Sequence, residues 1–180
     1  MIRTTGINGL YLIEPKVHRD HRGYFLESFN KKWFDEYESY NWVQDNEALS
    51  HKGVLRGLHY QVGDHAQAKL VRVISGEVLD VVADLRPGSP SYGKVFSEIL
   101  SGENKRQILI PRGFGHGYIV LADETIFAYK CDNHYAPEHE GGIHPLDDQL
   151  DIDWLLPHDM IILSDKDNAH PPFGQHVPAL

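Results

Sequence analysis

Apolar residues recur along the chain in short runs of strand length, separated by Gly, Pro, Asp and Asn. The runs that read as strands are GLYLIEP (9–15), GYFLESF (23–29), NWVQDNEALS (41–50), VLRGLHYQ (54–61) and KLVRVIS (69–75). They continue with EVLDVVADL (77–85), YGKVFSEILS (92–101), RQILIP (106–111), GYIVLA (117–122) and TIFAYKCD (125–132). Alternation is clearest in 77–84, where Val78, Asp80, Val82 and Asp84 face one way and Glu77, Leu79, Val81 and Ala83 the other. Helical spacing is confined to KKWFDEYES (31–39) and a short stretch near LDDQLDIDWLL (146–156). LRPGSPSYG is a turn or loop, and the polar tail after about position 157 is expected to wrap the surface. Many short strands with little helix predict an all-β antiparallel sandwich or barrel of the jelly-roll kind, whose interior can hold a ligand.

Composition adds limits to that outline. A chain of 180 residues suffices for one well-filled core, so residues 1–180 are read as one domain. The formal net charge of −9 argues against a nucleic-acid partner or an anionic membrane surface, while leaving room for an anionic small molecule where Arg and Lys gather locally. No apolar run approaches the ~20 residues of a membrane span, and the start MIRTTGINGLYLIEP has no signal-peptide core. Cys131 is the single cysteine, which excludes an intramolecular disulfide and makes a reducing cytoplasm the expected location. His134, His139, His144, His158, His170 and His176 lie in polar segments and are read as solvent-exposed.

Candidate chemistry begins at GVLRGLHYQ (53–61), which carries an arginine and a histidine through an otherwise apolar strand. Gly53, His59, Lys69 and Gly76 follow the spacing G-x5-H…K-x6-G, and IPRGFGHG supplies Pro111, Gly113 and His116. These fragments resemble the paired motifs of the cupin superfamily, a double-stranded β-helix. Where metal-binding cupins have H-x-H and a Glu, this chain has His59-Tyr60-Gln61 and Lys69. A protonated ammonium cannot ligate a divalent cation, so no metal is expected at that position. What is left is a cationic pocket with an imidazole that can take a proton near neutral pH and an ammonium that can stabilise an enolate oxygen. On spacing alone, a satisfied hydrogen-bond network, a metal cupin and a non-catalytic sugar-binding cupin all stay open.

A longer set of motifs narrows the choice. EPKVHRDHRGYFLESF, VQDN, VLRGLHYQ, KLVRVISGEVLDVVADLRPGSPSYG, ENKRQILIPRGFGHGY, YKCDNHYAPEHEGGI and LSDKD occur in order, spanning about positions 9–169. In this the chain resembles the dTDP-4-dehydrorhamnose 3,5-epimerase family. The resemblance implies epimerisation of a nucleotide-linked 4-keto-6-deoxy sugar at C3 and C5, in the rhamnose pathway, without metal or redox cofactor. It implies His59 as the base, Asp167 as the group that orients its ring, Tyr129 as the acid on the opposite face and Lys69 as the enolate stabiliser. Substrate contacts carried over in the same way are Arg22, Glu27, Gln44, Asp45, Asn46, Arg56, Gln61, His116, Glu140 and Lys166, with Tyr135 stacking on the thymine ring. Arg56 and Lys166 suit a diphosphate. The resemblance also implies a homodimer paired through the N-terminal strands.

Two segments depart from the family pattern. HPLDDQ follows YAPEHEGGI where an Arg-Trp-Asn-like segment is usual, and DWLLP replaces Asp-Trp-Pro. Both bear on which 4-keto deoxysugar fits, and on whether C3 alone is epimerised, more than on reaction type. One geometric expectation also follows. Strand alternation puts Arg56 and His59 on opposite faces, so both reach one pocket only if the strand breaks register, most easily at Gly57.

Overall fold

In the computed structural model, which describes residues 1–34 and 40–180, nearly all regular structure is β. The strands are β1 (Ile2–Thr4), β2 (Tyr11–Ile13), β3 (Val17–Asp20), β4 (Gly23–Leu26), β5 (Gln44–Ser50), β6 (Leu55–Gln61) and β7 (Lys69–Ser75). They continue as β8 (Glu77–Asp84), β9 (Val95–Ser101), β10 (Gln107–Ile110), β11 (Phe114–Val120), β12 (Thr125–Cys131) and β13 (Glu140–Gly142). One short helix, α1 (Asp165–Asn168), follows. A six-stranded sheet in the order β1-β2-β10-β7-β12-β5 faces a five-stranded sheet in the order β13-β6-β11-β8-β9, and β3-β4 forms a separate hairpin. The named strands pair antiparallel throughout, and the double-stranded β-helix expected from the motifs is present.

Burial follows from alternation. Val71, Val73, Ile108, Ile110 and Phe127 from the first sheet meet Val78, Val82, Phe114, Tyr118 and Val120 from the second, forming the core between the sheets. Each such side chain contributes about 1.5–3 kcal/mol when fully buried. The opposite face of β8 carries Leu79, Val81 and Ala83, and it is buried too, beneath Ile143, Leu150, Trp154 and Ala179. A strand covered on both sides explains why apolar residues fall on both faces of 77–84. The tail therefore packs over one sheet rather than merely wrapping the surface. Phe34 and Tyr40 cover the other sheet beside Ile13, Leu70 and Leu109.

Several expected boundaries change. β1, β3 and β13 were not anticipated, and β11 begins at Phe114 rather than 117. The stretch 31–39 forms a 3-10 turn at Lys31–Phe34, and 35–39 lies outside the described residues. No helix forms at 146–156, where the residues run through turns. There the Asp147 and Asp153 carboxylates accept the backbone N–H of Gln149 and Leu155 at 2.9 Å each, and Asp151 and Leu155 hold positive φ. Local side-chain bonds thus outcompete the helical ladder. Among the described residues no helix is long and apolar enough to cross a membrane.

Two glycines set the geometry of the site. On β11, His116 and Tyr118 are two residues apart, yet their partners on β6 are His59 and Arg56, three apart. β6 therefore carries a bulge, and Arg56 and His59 share the interior face with His116 and Tyr118. Gly57 allows it, with φ +139° and a position where a Cβ would lie 2.5 Å from Gly117 Cα. The register break expected at Gly57 is there. At Gly53 a Cβ would lie 2.2 Å from the Met160 carbonyl oxygen, so only glycine lets the tail run beside the start of β6. Leu55 N–H donates to the Ile162 carbonyl at 3.0 Å and Ile162 N–H to that of Gly53 at 2.8 Å. That pairing brings α1 to His59.

Candidate active site

A cavity of about 330 Å³ opens between the ends of the two sheets, within the size range of small-ligand sites. Its walls include His59 of β6 on one sheet and Gln44, Asn46, Lys69, Tyr129 and Cys131 of β5, β7 and β12 on the other. Tyr135 and Glu140 close the rim. Base and acid candidates thus stand on opposite sheets, with an ammonium on the wall that holds the phenol. The Lys69 Nζ lies 6.0 Å from the centre of the Tyr129 ring.

His59 is held from behind. Its Nε2 hydrogen-bonds Asp167 Oδ1, and the side chains are 28% and 5% exposed. Asp167 is the third residue of α1, whose N-cap Ser164 accepts the Asp167 N–H at 3.1 Å and donates its own hydroxyl to Asp167 Oδ2 at 2.8 Å. Burial is the largest single influence on Asp167 and would raise its pKa. The hydrogen bond and charge of His59, with the Ser164 hydroxyl, outweigh it and hold the carboxyl below its usual range. An ionised carboxylate, bonded through both oxygens, fixes the orientation of the imidazole ring.

Deeper in the barrel lies a second pair. His116 Nε2 and Asp80 Oδ2 are 2.9 Å apart, with side chains 7% and 0% exposed. Burial raises the Asp80 pKa and lowers that of His116, each pulled partway back by the other. Burial also lowers the Lys69 pKa, against the opposing influence of Cys131, Glu140 and Asp80. For Tyr129 burial raises the phenol pKa, which keeps it a proton donor at neutral pH.

The other expected contacts do not all reach the cavity. Gln44 and Asn46 line the cavity, while Tyr135, Glu140 and Lys166 form a cluster at its rim. In that cluster the Tyr135 hydroxyl and the Lys166 ammonium donate to Glu140 Oε2 at 2.7 and 2.6 Å. Arg56 shares the interior face and donates to the Ser50 hydroxyl at 3.2 Å, and its charge opposes the rise at Tyr129. Gln61 borders the cavity, but its amide is engaged with backbone: it donates to the carbonyls of His65 and His134 and accepts from Ala136 N–H at 2.7 Å. Its visible task is to clamp the 133–139 loop. Asp45 points to the outer face, paired with Lys130 at 2.8 Å, because alternation sends it opposite to Gln44 and Asn46. Arg22 and Glu27 belong to the β3–β4 hairpin region, away from the cavity. Arg22 pairs with Asp20 at 2.6 Å, and Glu27 lines a separate groove of about 870 Å³ with Ile2, Ile13, Phe25 and Trp33.

Residues 4–175 match the family model described as dTDP-4-dehydrorhamnose 3,5-epimerase. The chain belongs to that family. It is 50% identical over 165 residues to the dTDP-4-dehydrorhamnose 3,5-epimerase of Shigella flexneri, covering 91% of this chain and 90% of that one. Among solved structures, the dTDP-4-dehydrorhamnose 3,5-epimerase of Elizabethkingia anophelis NUHP1 superposes with a TM-score of 0.92 at 48% identity, covering 96% of each chain. The dTDP-6-deoxy-D-glucose-3,5-epimerase of Legionella pneumophila Philadelphia 1, solved in complex with dTDP-4-keto-L-rhamnose, gives 0.91 at 51% identity, covering 96% of this chain and 92% of that one.

Within this epimerase-family fold, three residues around the site escaped the sequence reading. Asp80 had a signal, a carboxylate alternating with valines in a strand too apolar to face water. Ser164 had one as well, since a Ser three residues before Asp167 in LSDKD is a capping pattern. His170, read as solvent-exposed, is mostly buried against Gly142, where a Cβ would lie 2.3 Å from its ring.

Proposed function

We infer that this chain epimerises dTDP-4-dehydro-6-deoxy-D-glucose at C3 and C5 to give dTDP-4-dehydro-L-rhamnose, as an isomerase of dTDP-rhamnose biosynthesis. One observation carries the chemistry: an imidazole oriented by an ionised carboxylate stands on one wall of the cavity, and a phenol and an ammonium stand on the other. The 4-keto group acidifies the hydrogens on both flanking carbons. His59 removes one as a proton, the C–H electron pair moves into the enolate, and the oxygen's negative charge is met by Lys69. Tyr129 returns a proton from the opposite face, and solvent restores the protonation of both groups. No oxidant or reductant enters, because substrate and product are isomers.

The rim cluster of Tyr135, Glu140 and Lys166 fits the nucleotide end, with an aromatic for the base and an ammonium for the diphosphate. Gln44, Asn46 and Arg56 fit the sugar and the inner phosphate. Arg22 and Glu27 line other hollows of their own chain rather than the cavity, so a part for them in binding fits a second copy. A homodimer paired through the N-terminal region is supported by the β3–β4 hairpin, an isolated ribbon with Tyr24 and Phe25 exposed, the latter by 69%. Residues 1–180 then form one catalytic unit, working in the cytoplasm on a nucleotide sugar. The net charge of −9 supports the absence of a nucleic-acid partner.

Incubation with dTDP-4-keto-6-deoxyglucose in deuterium oxide tests the reading. Deuterium at both C3 and C5 is expected. Label at C3 alone would make the chain a 3-epimerase, and no exchange at either carbon would overturn the assignment.

A further inference from the structure

Asp167 has two imidazoles beside it, and the proposed reaction uses one. His170 follows α1 by two residues, its side chain is 13% exposed, and its Nε2 is buried with no hydrogen-bond partner. That nitrogen lies 3.9 Å from Asp167 Oδ1, beyond hydrogen-bond reach. Its ring meets that of His59 edge-on, with centroids 5.4 Å apart. A buried polar atom without a partner calls for an account, and this one is aimed at a carboxylate oxygen that a second imidazole already holds.

Ligand atoms of His59, Asp167 and His170 all lie within 4.8 Å of one another. Two imidazoles and a carboxylate are a donor set that zinc accepts, with bonds of about 2.0–2.2 Å that place tetrahedral donors ~3.3 Å apart. His59 and Asp167 are in hydrogen-bond contact while His170 Nε2 stands 3.9 Å from Asp167 Oδ1, so a shared ion requires the two rings to turn until all three donors surround one point. We propose that His59 Nε2, Asp167 Oδ1 and His170 Nε2 form an inhibitory site for a divalent transition metal of the zinc type. The ion takes the place of the proton shared by His59 and Asp167, which passes to His59 Nδ1 so that the ring stays a neutral imidazole, and it gives His170 Nε2 the partner it lacks. The partly exposed His59 side leaves a fourth position for water. The nearby Lys166 charge is balanced by Glu140 at 2.6 Å.

This site shares His59 with the cupin motif but takes its other donors from α1 and the residues after it rather than from the Lys69 position, and the ion is an inhibitor rather than a cofactor. A metal on Nε2 keeps the ring's one proton on Nδ1, so His59 has no lone pair left to act as a base and turnover stops. That consequence rests on His59 being the base; the binding itself does not.

The experiment titrates the purified full chain with Co²⁺ alone, followed by its visible absorption, and with Zn²⁺ by calorimetry. One equivalent per chain is expected, with Zn²⁺ displacing Co²⁺. His170→Asn should weaken binding by more than about 100-fold, the upper end of what losing even an outer-shell partner costs. His65→Ala should leave it unchanged, although His65 belongs to another imidazole pair, stacked on His139 at 3.9 Å. Should His170→Asn fold poorly, ring-nitrogen NMR of the wild type replaces it, with Zn²⁺ shifting Nε2 of both His59 and His170. No Co²⁺ spectrum in the wild type, or binding that survives His170→Asn in a folded protein, overturns the site. Binding that depends on His170 while turnover ignores Zn²⁺ keeps the site and overturns His59 as the base.

Discussion

Two imidazole–carboxylate pairs stand side by side on neighbouring strands, His116 directly opposite His59 in the β6–β11 ladder, yet they are built to opposite ends. Asp167 has a hydroxyl on its second oxygen and solvent near its partner, and it is held ionised despite its burial. Asp80 has a second oxygen that is buried without a partner, and burial pushes it and His116 toward their uncharged forms. The first pair can change charge during a reaction because water and spare hydrogen bonds absorb the change. The second cannot do so cheaply, since any charge would sit in a sealed core. Residue type is the same in both; what differs is what surrounds the remaining lone pairs.

The comparison breaks most visibly at His59. His59→Ala is expected to slow solvent deuterium exchange into substrate by about 10³- to 10⁴-fold, the range for a lost general base. Its melting temperature should change little, because the side chain is partly exposed. His116→Ala should do the reverse, costing about 3 kcal/mol in chemical denaturation by leaving Asp80 buried without its hydrogen-bond partner. Equal stability losses in the two variants would erase the distinction between a working pair and a structural one. Next in size is Tyr129→Phe. Removing the acid but not the base should slow inversion about 10²-fold while deuterium still washes into the substrate, as read by NMR of recovered starting material. Loss of exchange and inversion together would mean that Tyr129 also takes part in proton removal.

Much of this arrangement was legible in the sequence, and the failures have specific causes. Strands of seven or eight residues with clear alternation, such as β7, β8 and β12, were found nearly to the residue. β1 and β13, of three residues each, are too short to show a period. The 146–156 stretch imitates helical spacing because Leu150 and Trp154 both turn inward, but its aspartates bond to nearby backbone and set turns instead. At the site, the bulge at Gly57 followed from requiring Arg56 and His59 to share a face. Alternation applied equally to Gln44, Asp45 and Asn46 would have set Asp45 apart. Gln61 and His170 were beyond reach, since whether an amide is occupied by a loop, or an imidazole is buried by a returning tail, depends on segments far away in the chain.

The smallest expected effect tests how far the sealed region extends toward the cavity. Lys69 lines the cavity wall half-buried, less sealed than Asp80 and His116, and burial still lowers its pKa from the ordinary 10.5. Its proposed role needs the protonated form, so activity is lost as pH rises through that lowered value. Tyr129, whose pKa is raised, should still be protonated there. The alkaline limb of kcat should therefore begin below 10.5, and in Lys69→Arg, whose guanidinium stays charged, it should move to higher pH with partial activity. A limb left in place by Lys69→Arg would assign it to another group. It would also put Lys69 with the cavity rather than with the core, because only an ammonium that is poor in solvent loses its proton early.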